Sequence, residues 1–305
     1  NYIGESTSAL NFSLYGYPFE TTPWLNSQKS DEKFIYFKKV YARYTHTSPS
    51  LIDTFSVCKE VSLSSCSNVD LKDLNFLPIV SILEKNSIKT HLFSTQGSLG
   101  GHNLASKIVL DVNNKKFSGK KETKFLGNRK NTKIKDKDFF KDSYCLDNKI
   151  FEKNSSDVVF LHSYAGHGFF DGYLGHTDRK KLFSYPQYVT PRNFLGKDKK
   201  NFNLMQEYDT AINYIDETIE EVISCSLKKT KKTNKPLIFI YFSDHGESPS
   251  SSRGHDSSRL TYEMLHVPFF IFFNDAAYEK YKEKFDFLNS LKEKNLSLKI
   301  VSEIF

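Results

Sequence analysis

Short apolar runs alternate along this chain with stretches in which apolar residues return every third or fourth position. The runs at 34–37, 89–94, 158–161, 238–242 and 267–273 are rich in β-branched and aromatic residues and predict buried strands. Leu204, Tyr208, Ala211, Ile215, Ile219 and Val222 keep helical spacing. They predict one long amphipathic helix that leads through basic residues and Pro236 to the strand at 238. A shorter helix is expected over 77–85, and a helical pattern at 10–18 ends at Gly16 and Pro18. Thr47 or Ser48 is placed to cap a helix with Pro49 in its first turn and Leu51, Ile52 and Phe55 on its buried side. Helices alternating with strands predict a mainly parallel sheet, hence an α/β chain folded as a three-layer α/β/α sandwich. One domain over 1–305 is expected. Residues 113–143, with eleven Lys and Arg and little periodicity, read as a Lys-rich solvated excursion from it.

Charge adds little to this picture. Among 305 residues, 43 Lys and Arg face 36 Asp and Glu, a net charge of +7. That modest excess suits an anionic membrane surface, while the sparse aromatic residues in the Lys-rich stretch argue against nucleic acid. No run of eighteen apolar residues and no signal peptide is present. The chain opens inside a strand and stops where an element begins, so it reads as part of a longer protein with a membrane anchor ahead of Asn1. The four cysteines lack zinc spacing. Cys58 and Cys66 flank a short loop that a disulfide would close, and Cys225, on the long helix, reads as a buried thiol. The pairing of Cys145 is left open.

The candidate chemistry lies where strands end. Asp244-His245-Gly246-Glu247 follows the strand at 238, and ligands in open α/β sheets bind at carboxyl ends. Glu5 follows the first strand, and His167 lies between two glycines after the strand at 158. His255 follows in a Ser-rich loop, whereas His266 reads as structural. Two carboxylates and imidazoles without thiolates suit zinc or manganese, and a metal touching the Thr47 hydroxyl would make it a nucleophile. His167 and His255 are placed to hold a second metal or to neutralise phosphoryl oxygens. Together these groups predict transfer of a charged tetrahedral group.

The order of these motifs resembles a known family. Gly4-Glu-Ser-Thr-Ser-Ala-Leu-Asn-Phe-Ser-Leu-Tyr-Gly-Tyr-Pro18, Thr47-Ser-Pro-Ser50, the Gly-His-Gly loop at His167, Ser243-Asp-His-Gly-Glu-Ser248 and a downstream Gly-His are similar to the catalytic domain of bacterial phosphoethanolamine transferases. These belong to the alkaline phosphatase and sulfatase superfamily. The resemblance implies a catalytic zinc held by Glu5, Thr47, Asp244 and His245, with Thr47 as nucleophile. It implies that His167 and His255 serve the substrate phosphate or a second metal, with Glu247 nearby. The implied reaction takes phosphoethanolamine from phosphatidylethanolamine through a phospho-threonine to lipid A, lipooligosaccharide or another envelope acceptor. The implied setting is a monomer at the periplasmic face of the inner membrane.

The chain departs from that family in places. No cysteines bracket Thr47, and 77–80 offers no asparagine or lysine for the donor. Thr47-Ser-Pro-Ser50 parallels the sulfatase Cys-x-Pro-Ser pattern, but threonine cannot become formylglycine. The rival expectations are a phosphoglycerol transferase or ester hydrolase on the same scaffold, and a non-catalytic envelope-binding domain.

Overall fold

A computed structural model describes residues 1–58, 76–96, 121–125, 136–152, 157–168, 170, 199–249 and 254–304. In chain order the strands among them are β1 (Tyr2–Gly4), β2 (Phe34–Tyr36), β3 (Lys39–Tyr41), β4 (Ser56–Cys58), β5 (Phe76–Pro78), β6 (Lys89–Ser94), β7 (Lys121–Phe125), β8 (Asp157–His162), β9 (Ile238–Ser243), β10 (His266–Val267), β11 (Phe269–Phe273) and β12 (Asn295–Ser297). Seven of them form the central sheet in the order β2-β11-β9-β1-β8-β6-β7. β9, β1, β8, β6 and β7 run parallel, with Tyr2 opposite Tyr241 on one side and Leu161 on the other. β11 lies antiparallel between β9 and β2. The mainly parallel α/β sheet is as the periodicity predicts.

Alternation within each strand divides the core into two layers. Tyr2, Phe93, Leu161, Phe239 and Tyr241 face one side and pack against the long helix Lys199–Thr233 through Tyr208, Ile212, Ile215 and Ile219. Ile3, Leu92, Phe160, Ile240 and Phe242 face the other, against the helices Thr47–Phe55, Ile79–Lys85 and Lys282–Ser290. Each large apolar side chain so enclosed contributes about 1.5–3 kcal/mol. Covering both faces makes a parallel sheet stable and leaves its carboxyl edge for chemistry.

Several local expectations change. The pattern at 10–18 forms two 3-10 turns, Ala9–Asn11 and Ser13–Tyr15, closed by Gly16 at φ +95°. Pro268 splits the run at 267–273 into β10 and β11, because it has no N–H for the ladder. Within the Lys-rich stretch, Lys121–Phe125 is a strand at the sheet edge, and Asp136–Phe140 is a helix whose Phe139 and Phe140 join the core. Cys225 is not a thiol but is bonded to Cys145, pinning the segment after that helix to the long helix. The Cys58–Cys66 expectation lies outside the described residues. Among the described residues no helix is long and apolar enough to cross a membrane.

Candidate active site

Four neighbouring parallel strands, β9, β1, β8 and β6, end on one edge and deliver Asp244 and His245, Glu5, the 163–168 loop and Gln96 side by side. Backbone hydrogen bonds lace the ends together. Asp244 N donates to Gly4 O at 3.1 Å, Ser6 N donates to Asp244 Oδ1 at 3.1 Å, and Thr7 N donates to Ser243 Oγ at 2.9 Å. Ser6 takes φ +54° to make this turn. The long helix holds the turn from behind, since Tyr208 Oη donates to Ser6 O at 2.8 Å and accepts from Ser8 N at 2.9 Å.

Two glycines are required by close approach. A Cβ on Gly246 would lie 1.9 Å from Glu263 O. Gly166, at φ +107°, passes so near the Glu5 backbone that a Cβ would lie 2.2 Å from Glu5 O. The glycine beside His167 therefore seats the loop on β1 as well as leaving room for a ligand.

The floor of the site is buried, with Glu5 1%, Asp244 0%, His245 0% and Thr47 5% exposed. Thr47 opens its helix as the first helical residue, with His46 in the cap position and no side-chain cap. Neither Thr47 nor Ser48 supplies the expected cap. The Thr47 hydroxyl instead lies 3.1 and 3.3 Å from the Glu5 carboxylate oxygens and 3.4 Å from His245 Nε2. His245 Nε2 is 3.5 Å from both Glu5 Oε1 and Asp244 Oδ2, while its Nδ1 meets Gly246 O at 2.9 Å. Ser50, one turn along the helix, donates to Asp244 O and ties the helix to β9.

Above the floor stand three half-buried imidazoles. His255 Nδ1 meets Glu247 Oε2 at 2.7 Å, and its ring centre lies 4.7 Å from His245, 5.9 Å from His167 and 5.4 Å from His46. Tyr164 Oη meets His167 Nδ1 at 3.2 Å with the two rings stacked. Thr45 Oγ1 meets His46 Nδ1 at 3.0 Å.

Burial and charge pull these groups apart electrically. Burial and then the Glu5 charge raise Asp244, whereas at Glu5 burial is outweighed by the hydrogen bond and charge of His245, which lower it. At His245 burial opposes the proton but Asp244 and Glu5 outweigh it and raise the imidazole well above its ordinary value. His167 is lowered, chiefly by burial. Two enclosed carboxylates sharing one imidazole thus have a charge balance that a cation would settle.

The residues present fit a divalent metal. One ligand atom each of Glu5, Asp244 and His245 lie within 4.8 Å of one another. Asp244 Oδ2 is buried and has no hydrogen-bond partner among the described residues, which a metal bond would satisfy. Two carboxylates, an imidazole and a hydroxyl without thiolates suit zinc at such a site.

With this geometry defined, comparison with known proteins narrows the reading. The family model described as Sulfatase matches residues 2–291. The chain belongs to the sulfatase family. Within it, the chain is similar to phosphoethanolamine transferase EptC of Escherichia coli O18:K1:H7 (strain RS218 / NMEC), 26% identical over an alignment of 280 residues that covers 88% of this chain and 44% of that protein. The chain thus spans less than half the length of that relative. Its fold is similar to the C-terminal periplasmic domain of EcEptC from Escherichia coli in complex with Zn, with TM-score 0.74 and 19% identity over 99% of this chain and 78% of that one. It is likewise similar to the soluble domain of lipooligosaccharide phosphoethanolamine transferase A from Neisseria meningitidis, with TM-score 0.73 and 19% identity over 99% of this chain and 84% of that one. At these identities the structural likeness is one of fold.

All seven residues expected from the strand-end loops of the sequence, Glu5, Thr47, His167, Asp244, His245, Glu247 and His255, are brought to this edge. His266 stands apart, with Nε2 on Lys38 O at 2.9 Å, as a structural histidine should. Sequence reasoning missed His46, Gln96 and Asp136. Asp136 Oδ2 accepts from Ser163 Oγ at 2.5 Å, Tyr164 N at 3.0 Å and Ala165 N at 3.1 Å, and so shapes the loop that carries His167. The one local signal for His46 was its place immediately before Thr47. Gln96 and Asp136 carried none.

Proposed function

We propose that this domain transfers phosphoethanolamine from phosphatidylethanolamine to lipid A, lipooligosaccharide or another envelope acceptor, with Thr47 as nucleophile. The observation that carries this reading is the Thr47 hydroxyl, uncommitted to capping, at the N-terminus of its helix and within 3.4 Å of both Glu5 and His245. The similar EptC, named a phosphoethanolamine transferase, supports the choice of head group. A zinc ion held by Glu5, Thr47, Asp244 and His245 would lower the hydroxyl pKa and polarise a phosphoryl oxygen.

The chain's own groups then divide the work. Thr47 Oγ, its proton passing to the Glu5 carboxylate 3.1 Å away and its developing charge stabilised by the positive end of its helix, attacks phosphorus. The Oγ–P bond forms as the bond from phosphorus to the diacylglycerol oxygen breaks. His255, oriented by Glu247, gives that oxygen a proton, and His167 binds the phosphoryl oxygens. In the second half an acceptor hydroxyl gives its proton to His255 and takes the phosphoethanolamine, while Glu5 returns its proton to the leaving Oγ and restores the Thr47 hydroxyl. The Cys145–Cys225 bond supports a periplasmic setting, since disulfides persist in oxidising compartments.

Intact-mass measurement after incubation with phosphatidylethanolamine tests the reading. An adduct of phosphoethanolamine mass mapping to Thr47 is expected. Free phosphoethanolamine without an adduct, unchanged in Thr47→Ala, would overturn it.

A further inference from the structure

Gln96 joins three of the strand ends that build the site. It follows β6 and is 2% exposed. Its Nε2 donates to Glu5 Oε2, beyond the end of β1, at 2.5 Å and to Ser163 O, beyond the end of β8, at 3.1 Å. A carboxylate and a carbonyl can only accept, so both amide hydrogens are assigned and the reversed amide would face two acceptors with an oxygen. The segment bearing Gln96 is itself held: Gln96 N donates to Ser94 Oγ at 3.2 Å, Thr95 N donates to His162 O at 3.0 Å, and Tyr164 N donates to Thr95 Oγ1 at 2.9 Å.

The two oxygens of Glu5 are therefore used differently. Oε1 receives Ser6 Oγ at 2.9 Å and Thr47 Oγ1 at 3.1 Å and lies 3.5 Å from His245 Nε2, on the side of Asp244 and the nucleophile. Oε2 carries the short bond to Gln96 and only a longer 3.3 Å approach from the Thr47 hydroxyl. A neutral amide steadies the carboxylate without placing a positive charge where a cation would have to compete with it. A lysine or arginine at 96 would do the opposite.

We propose that Gln96 is a positioning residue for the metal site, holding Glu5 by Oε2 so that Oε1 faces a divalent cation shared with Asp244 and His245. This rests on the zinc reading of the proposed function and names the group that orients one of its ligands. Removing such an orienting partner typically weakens metal affinity 10–100-fold.

The test compares the purified domain with Gln96→Met, which removes both donors at similar size, and Asp244→Asn. Zinc affinity is measured by chelator competition, the visible spectrum with cobalt(II) in place of zinc, and the melting temperature without metal. The expected result is zinc affinity lowered 10–100-fold in Gln96→Met with an altered cobalt spectrum, and a larger loss in Asp244→Asn. A lower metal-free melting temperature with zinc affinity and cobalt spectrum unchanged would make Gln96 merely structural and overturn the inference. Unchanged zinc affinity in Asp244→Asn as well would sink the zinc reading itself, which separates the two failures. Should Gln96→Met not fold, Gln96→Asn, which keeps the amide but withdraws it by one methylene, is read in the same way.

Discussion

At the floor of the site, Glu5, Asp244 and His245 are fully enclosed, follow two adjacent parallel strands, and are tied to Gly4, Ser6, Gly246 and Gln96. At the rim, His46, His167 and His255 are half-exposed and are each oriented through Nδ1 by one side chain, from Thr45, Tyr164 or Glu247. The difference separates two tasks. A buried charged cluster keeps its geometry before any ligand arrives, because moving one member would strand the others' charges in low dielectric. Imidazoles that are only half-buried stand where they can meet whatever enters. Under the proposed function the rim would handle substrate protons and charge, and the floor would make the nucleophile.

The sharpest way to break this comparison is at the one residue that serves the floor's purpose directly. Thr47→Ala is expected to lower transfer by a factor on the order of 10⁴ or more, because nucleophile and activator act as a unit. Residual transfer near the wild-type rate, measured as phosphoethanolamine on an added acceptor, would move the nucleophile elsewhere. One step smaller, zinc at about a hundred times its Kd should stabilise the metal-free domain by about 2.7 kcal/mol, and Asp244→Asn should lose that gain. Thermal melts with and without zinc read both. At the rim, Glu247→Gln keeps the size but weakens the hold on His255, and transfer should fall roughly 10–100-fold with zinc stabilisation intact. Loss of the zinc effect in that variant would erase the division between floor and rim. His46→Gln should have the smallest effect, about several-fold in KM, as expected for one neutral hydrogen bond.

A control for stability comes from outside both regions. The long helix places Asp209 against Tyr17 Oη at 2.6 Å and Asn11 Nδ2 at 2.7 Å, and Asp216 against the backbone N–H groups of Trp24 and Leu25 at 2.8 and 3.1 Å. Burial pushes Asp209 up to about 8 and Asp216 up to about 7, against the pull of those donors. Both carboxyls stay protonated in the fold at pH values where the unfolded chain has ionised. The folded state then binds more protons, so the stability they contribute is complete below about pH 4 and is lost as pH rises towards 8. Asp209→Asn should flatten that fall, each proton accounting for at most about 1.4 kcal/mol per pH unit. Melting temperatures from about pH 5 to about pH 8 check it, and a steeper fall in the variant would reverse the sign.

Much of the architecture was legible before any coordinates. Strands β6, β8 and β9 lie where β-branched and aromatic runs place them, because a strand buried on both faces needs an uninterrupted apolar run. The long helix lies where Tyr208 to Val222 repeat at helical spacing, although it extends further at both ends. Thr47 was found, but its expected partner in a cap was wrong, since capping preference is local and the Glu5 carboxylate is remote. The Cys145–Cys225 bond joins residues 80 apart in the chain, and no spacing rule reaches that far. Asp136 lay within a stretch dominated by lysines, where one buried carboxylate leaves no periodic trace.

By itself the sequence determined the central strands β6, β8 and β9, the long helix, and the chemical groups that follow β1, β8 and β9, because side-chain periodicity and turn residues act within a few positions. Tertiary structure alone decided that β1 lies between β8 and β9 and that β6 lies beside β8. That order sets Glu5, Gln96, the His167 loop and Asp244 around one hydroxyl. Strand order follows from how two apolar faces are covered by particular helices, a property of the packed whole that no window along the chain contains.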